Sequence, residues 1–203
     1  MNTISRTIHA QPESPTEPFQ RWRWTLQDLD RLTETGIIPE GRNVELIDGE
    51  LIASSAKGNR HEMVRLALHD WFRRHLDREV AYYSEPGWRP DGSTYMEPDY
   101  LLTPSVPKPH LLSGREVLLV IEISDSTLSY DLKIKLPKYA RLEVPEVWVI
   151  DAERLVTHVR REPAPAGYAF EATLHADQPL TPHAIPGLAL RLADLGLEPA
   201  DVT

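Results

Sequence analysis

Residues 116–151 constrain the fold more than any other part of the chain. "EVLLVIEIS" (116–124) is an almost unbroken apolar run, "LSYDLKIKLPKYARL" (128–142) returns to helical spacing, and "VPEVWVID" (144–151) is apolar again. A strand that is apolar on both faces has to be covered on both faces. Two such strands joined through a helix lie parallel, because a tight hairpin gives only antiparallel neighbours. The segment therefore predicts a mixed α/β domain with a parallel middle to its sheet. Pro137 removes a backbone hydrogen bond inside the helical stretch, so this helix is expected to start late or to kink there.

The flanking segments supply the rest. "TLQDLDRLTETG" (25–36) has a Thr25 to Asp28 capping-box spacing, leucines at 26, 29 and 32, and Gly36 as a stop. In "NVELIDGELIASS" (43–55), Asp48-Gly49 stands between two apolar runs, a strong hairpin signal. From Asn59 to about Arg78, Met63, Leu66, Ala67, Trp71 and Phe72 recur at helical spacing, predicting the longest helix. "VAYYSE" (80–85) and "PDYLLTP" (98–104) read as strands, "LVTHVRR" (155–161) and "GYAFEATL" (167–174) as a peripheral hairpin, and "HAIPGLALRLADLG" (183–196) as a short closing strand or turn. Residues 1–20, rich in Pro, Ser, Thr and Glu, are expected to form a mobile tail, with a single domain over 21–203.

The chain has no cysteine, so disulfides and thiolate metal sites are excluded. It contains no run of 18 apolar residues and no apolar core of the signal-peptide kind near residue 1, which predicts a cytoplasmic protein without a membrane partner. A formal charge of −9 argues against tight, non-specific DNA binding, though not against a local basic cleft. Arg65, Arg73, Arg74 and Arg78 read first as the solvated face of the long helix. Trp71 and Trp148 read as core; Trp88 and Tyr95 flank the Asp99 strand, where they could face a substrate. His110, His158, His175 and His183 show no ligand spacing, and no zinc site is expected.

Glu122 interrupts an otherwise apolar strand. A desolvated charge costs several kcal/mol unless it is paired or coordinates a cation, so Glu122 needs a partner: a lysine or arginine, or a hard divalent ion. Asp99 opens another strand after a proline, where plain turn chemistry also accounts for it. Asp131, Lys135 and Tyr139 are spaced by four, so on a helix they share a face. Lys135 then either reaches back towards the carboxylates or forms a surface pair with Asp131.

Taken together, "VELIDGEL", "NRHEMV", "EPDYLL", "VIEISDST", "DLKIKLPKYA" and "VPEVWVID", in that order, resemble the Uma-two-like family of restriction endonucleases, within the PD-(D/E)XK nuclease superfamily. The likeness spans roughly Glu45 to Asp151, with "IPGLALRL" as a closing segment. It implies a restriction-endonuclease-like mixed sheet flanked by helices, with an N-terminal hairpin. It implies Asp99 and Glu122 as the acidic pair and Lys135 as the lysine, carried on the helix; in the superfamily pattern that lysine stands two residues after the glutamate, a position held here by Ser124. Glu45, His61, Asp131 and Tyr139 match supporting positions. The resulting expectation is that Asp99, Glu122 and the Ile123 carbonyl hold Mg²⁺ or Mn²⁺ for hydrolysis of DNA phosphodiester bonds, with a homodimer plausible by analogy. The alternatives are an inactive nuclease-fold binding module and a phosphodiesterase acting on something other than DNA.

Overall fold

Asp48 and Gly49 both adopt positive φ, 51° and 76°, so the predicted two-residue turn is of the kind whose twist matches its flanking strands. The computed structural model describes residues 22–54 and 57–200; the predicted N-terminal tail lies outside them. In chain order the elements are α1 (Leu26–Glu34), β1 (Val44–Ile47), β2 (Glu50–Ala53), α2 (Asn59–His75), β3 (Val80–Ser84), β4 (Trp88–Asp91), β5 (Thr94–Met96) and β6 (Tyr100–Pro104). There follow β7 (Leu119–Ser124), α3 (Leu128–Tyr130), a π-helical turn (Asp131–Lys135), α4 (Leu136–Arg141), β8 (Glu146–Asp151), β9 (Val156–Ala164) and β10 (Gly167–Leu174).

These elements gather into two compact units. The first holds the described residues up to Ser54 with Asp91–Met96. Its helix α1 is closed by the predicted capping box: the Asp28 amide donates to Thr25 Oγ1 and the Thr25 amide to Asp28 Oδ2, both at 3.1 Å. Beside it β1 pairs antiparallel with β2 on one edge and β5 on the other.

The second unit is built on a six-stranded sheet of order β10-β9-β8-β7-β6-β3. Only β7 and β8 are parallel, joined by the helical crossover that the sequence demanded; the other neighbours are antiparallel. Every residue of β7 and β8 is buried. Val64, Leu68, Trp71 and Phe72 of α2 pack with Ile121, Ile123, Trp148 and Ile150, so α2 covers the face carrying the odd-numbered residues of β7. The closing segment adds a Leu180 to Leu190 bridge and buries Leu188 and Leu192 in the same core.

Three features depart from the sequence reading. The long helix ends at His75, short of Arg78: Leu76 still packs on the core but with extended backbone, as the C-cap. Trp88, whose loop position alone left it open to face a substrate, is fully buried: its Nε1 donates to the Leu112 carbonyl at 2.8 Å and its ring stacks on Tyr139 with centroids 6.2 Å apart. The expected late start or kink at Pro137 takes the form of the π-turn, in which the Leu136 amide reaches back five residues to the Asp131 carbonyl. Widening the helix just ahead of the proline relieves the clash its ring would make with the carbonyl four residues earlier.

Candidate active site

Strand register gathers the acidic residues. Ser84 opposes Tyr100 across β3 and β6, and Tyr100 opposes Ile121 across β6 and β7. One step further, Glu85, Asp99 and Glu122 occupy adjacent positions across three strands. The Glu85 amide, donating to the Asp99 carbonyl at 3.0 Å, extends the β3–β6 ladder by that step. Asp99 stands just outside β6, so its carboxylate turns towards the end of the sheet and accepts the Ile123 N–H at 2.7 Å.

All of Asp99, Glu122, His61 and Lys135 are less than a tenth exposed. Asp99 Oδ1 receives two further groups: Lys57 Nζ at 2.7 Å and His61 Nε2 at 2.9 Å. Burial pushes the Asp99 carboxyl up, but His61 and Lys57 outweigh it and hold the group below the usual carboxylate range. The same contact acts in reverse on His61. Burial pushes its imidazole down, and the hydrogen bond and charge of Asp99 raise it further than that. Its Nδ1 lies 3.3 Å from Glu62 Oε1, in a direction that makes no hydrogen bond.

Glu122 engages a different set. Lys135 Nζ donates to its Oε1 at 3.1 Å, and the Tyr139 hydroxyl donates to the same oxygen. Glu122 alternates with Ile121 and Ile123 along β7, so this cluster lies on the sheet face opposite α2. The π-turn aids the meeting: with more than four residues per turn, it keeps positions 131 and 135 nearly in line. Of the partners that the sequence left open for Glu122, the lysine is present: Lys135 forms the salt bridge.

Asp131 is buried, which removes the surface-pair reading of Asp131 and Lys135. Its Oδ2 accepts from Ser124 Oγ at 2.6 Å and Thr127 Oγ1 at 2.7 Å, tying the start of the π-turn to the end of β7. Burial raises its carboxyl above the ordinary value despite Lys135 and the two hydroxyls. The native state therefore binds a proton that the unfolded chain releases near pH 3.9, and stability falls as pH rises from there through the raised value. Asp131→Asn removes that slope. Its melting temperature relative to the parent chain is expected to improve between pH 4 and pH 7, as checked by thermal denaturation at both values; a parallel drop for both chains would contradict this.

Glu45 lies buried in β1 of the first unit, whereas Asp99, Glu122, Lys135, His61, Asp131 and Tyr139 all belong to the second. Lys57 and Glu85 escaped the sequence reading. Lys57 Nζ sits between Asp99 and Glu85, bonded to both. A signal was present: a cation two residues ahead of a helix start opposes the helix dipole, so a lysine there calls for a carboxylate partner.

A family described as "Putative restriction endonuclease", Uma2, matches residues 26–193. Among solved structures, the chain is similar to a "putative nuclease belonging to DUF820" from Anabaena variabilis, with a TM-score of 0.60 at 17% identity, over 81% of this chain and 96% of that one. At that identity the likeness concerns the fold. No curated protein matches the chain.

Proposed function

Because the chain belongs to the Uma2 family of restriction-endonuclease-like proteins, we propose that it is a divalent-metal-dependent nuclease that hydrolyses DNA phosphodiester bonds. The observation that carries this reading is the pairing of buried Glu122 with Lys135, one strand away from buried Asp99. An interior that needed only apolar packing would hold neither the carboxylates nor the lysine.

The donors suit a hard cation. Asp99 and Glu122 offer carboxylate oxygens and Ile123 a backbone carbonyl, and Mg²⁺ is commonly held through one or two carboxylates with water and substrate phosphate completing its shell. Among the described residues no three acidic or imidazole groups form a ready-made cage. A metal bound there would supply an acidified water and charge neutralisation at the phosphate. The protein's own groups do the rest. His61 and the Ile123 N–H fix the orientation of Asp99. Tyr139 fixes Glu122. Lys135, held against Glu122 where water is scarce, is placed to orient the attacking water or to stabilise negative charge growing on the phosphoryl oxygens. Cutting both strands of a duplex calls for two such sites, which a homodimer supplies.

A second reading has one specific observation in its favour. Both carboxylates are already neutralised by lysines, as expected of a nuclease fold that binds without cutting. Plasmid DNA incubated with the protein and Mn²⁺ or Mg²⁺ separates the two. The nuclease reading expects nicking or linearisation that chelator stops, and a rise in melting temperature with excess Mn²⁺ that Asp99→Asn loses. Intact plasmid with no Mn²⁺ shift would favour the binding module.

A further inference from the structure

The two lysines hold their carboxylates in different ways. Lys135 is less than a tenth exposed and is locked in by the π-turn around it. The Lys57 side chain is a quarter exposed, and its ammonium bridges Asp99 Oδ1 at 2.7 Å and the better exposed Glu85. We propose that Lys57 is the resident counter-cation of the Asp99–Glu85 pair, and that a divalent ion enters the site by exchange with it. This rests on the metal-dependent reading above.

Charge and geometry both point this way. Glu85, Asp99 and Glu122 stand at neighbouring register positions, a row whose repulsion requires cations between its members. Lys135 answers Glu122, and Lys57 answers the other two. The helix dipole opposes a cation ahead of α2, so little besides the two carboxylates holds the ammonium in place.

The neighbouring backbone is fixed. The Gly58 amide donates to Asp125 Oδ2 at 3.1 Å, and a Cβ at Gly58 would meet that oxygen at 2.3 Å. Exchange is thus a swing of the lysine side chain into water and not a movement of the helix. Asp99 keeps its orientation throughout, because His61 and the Ile123 N–H remain bonded to it.

Two measurements test the exchange. Calorimetric titration with Mn²⁺ should show Lys57→Met binding the ion roughly tenfold more tightly than the parent chain, the order expected when a charge-assisted hydrogen bond no longer has to be broken first. On the unmutated protein, Mn²⁺ should increase acetylation of Lys57 by an amine-specific reagent, read by mass spectrometry, while Lys135 stays protected. Equal or weaker Mn²⁺ binding by Lys57→Met, or labelling of Lys57 indifferent to Mn²⁺, overturns the exchange. If Asp99→Asn abolishes Mn²⁺ binding yet Lys57→Met gains nothing, the metal site stands and only the exchange falls. If neither the parent chain nor Lys57→Met binds Mn²⁺, both readings fall together.

Discussion

Glu122→Gln is expected to lower metal-dependent DNA cleavage at least about a thousandfold, the scale on which loss of one preorganised electrostatic group reduces turnover. The amide keeps the shape of the side chain and can still accept the Tyr139 hydroxyl, so packing changes little. The charge that would face the metal is lost, and so is the counter-charge of Lys135. That second loss also destabilises the fold, since breaking a buried pair by removing one partner costs about 3–5 kcal/mol. Cleavage by Glu122→Gln is therefore read at a temperature where its own melting curve shows it folded, and Glu122→Gln with Lys135→Met reports on the stability loss separately. With both charges gone the interior is no longer left with an unmatched ammonium, and the melting temperature should recover most of the loss. Cleavage should stay absent. Recovery of cleavage in the double variant, or near-normal cleavage by Glu122→Gln, would remove Glu122 from the chemistry.

Much of this arrangement was legible in the chain itself. The crossover from β7 to β8 followed from two apolar runs around a helical stretch, and the Asp48-Gly49 hairpin from turn chemistry alone. A spacing of four put Lys135 and Tyr139 on one helical face, with Lys135 able to reach back towards the carboxylates, although the π-turn ahead of them has no sequence signature beyond Pro137. Short β4 and β5 were not foreseen. Asp91-Gly92 at the end of β4 carries the same turn signal as Asp48-Gly49, but Pro90 and a three-residue strand leave too little alternation to read. Trp88 misled because position beside a candidate residue says nothing about which way a large ring faces; the Leu112 carbonyl that satisfies its N–H is 24 residues away in sequence. Glu85 was hidden for a similar reason, whereas Lys57 carried a helix-dipole signal that went unread. Glu85 comes beside Asp99 through the β3–β6 register, which no local pattern encodes.

The criterion that singled out Glu122, a carboxylate inside an apolar strand, applies equally to Glu146, and there it has a structural meaning. Glu146 is 1% exposed. Its Oε1 accepts the Trp148 indole N–H at 2.6 Å and lies 3.0 Å from an Arg161 guanidinium nitrogen, while Oε2 accepts the His183 backbone N–H at 2.7 Å. Arg161 in turn donates to the Thr181 carbonyl and rests over the Phe170 ring. One side chain thereby fastens β8, β9 and the closing segment together. Glu146→Ala leaves the Trp148 and His183 N–H groups without an acceptor and the Arg161 guanidinium, still bonded to Thr181, without its counter-charge, and is expected to cost about 3–5 kcal/mol. For a chain of this size that is a fall of roughly 6–20 °C in melting temperature. Glu146→Gln, which keeps one carbonyl oxygen, should fall by less. Adding Arg161→Met to Glu146→Ala should restore part of the loss, because the stranded guanidinium is then gone. A Glu146→Ala protein that melts within about 2 °C of the parent would show that this carboxylate does not fasten the sheet. The difference between the two glutamates is in their partners: Glu146 is answered from strands and a loop that must be joined, whereas Glu122 is answered by a lysine and a tyrosine from a single helical stretch beside Asp99.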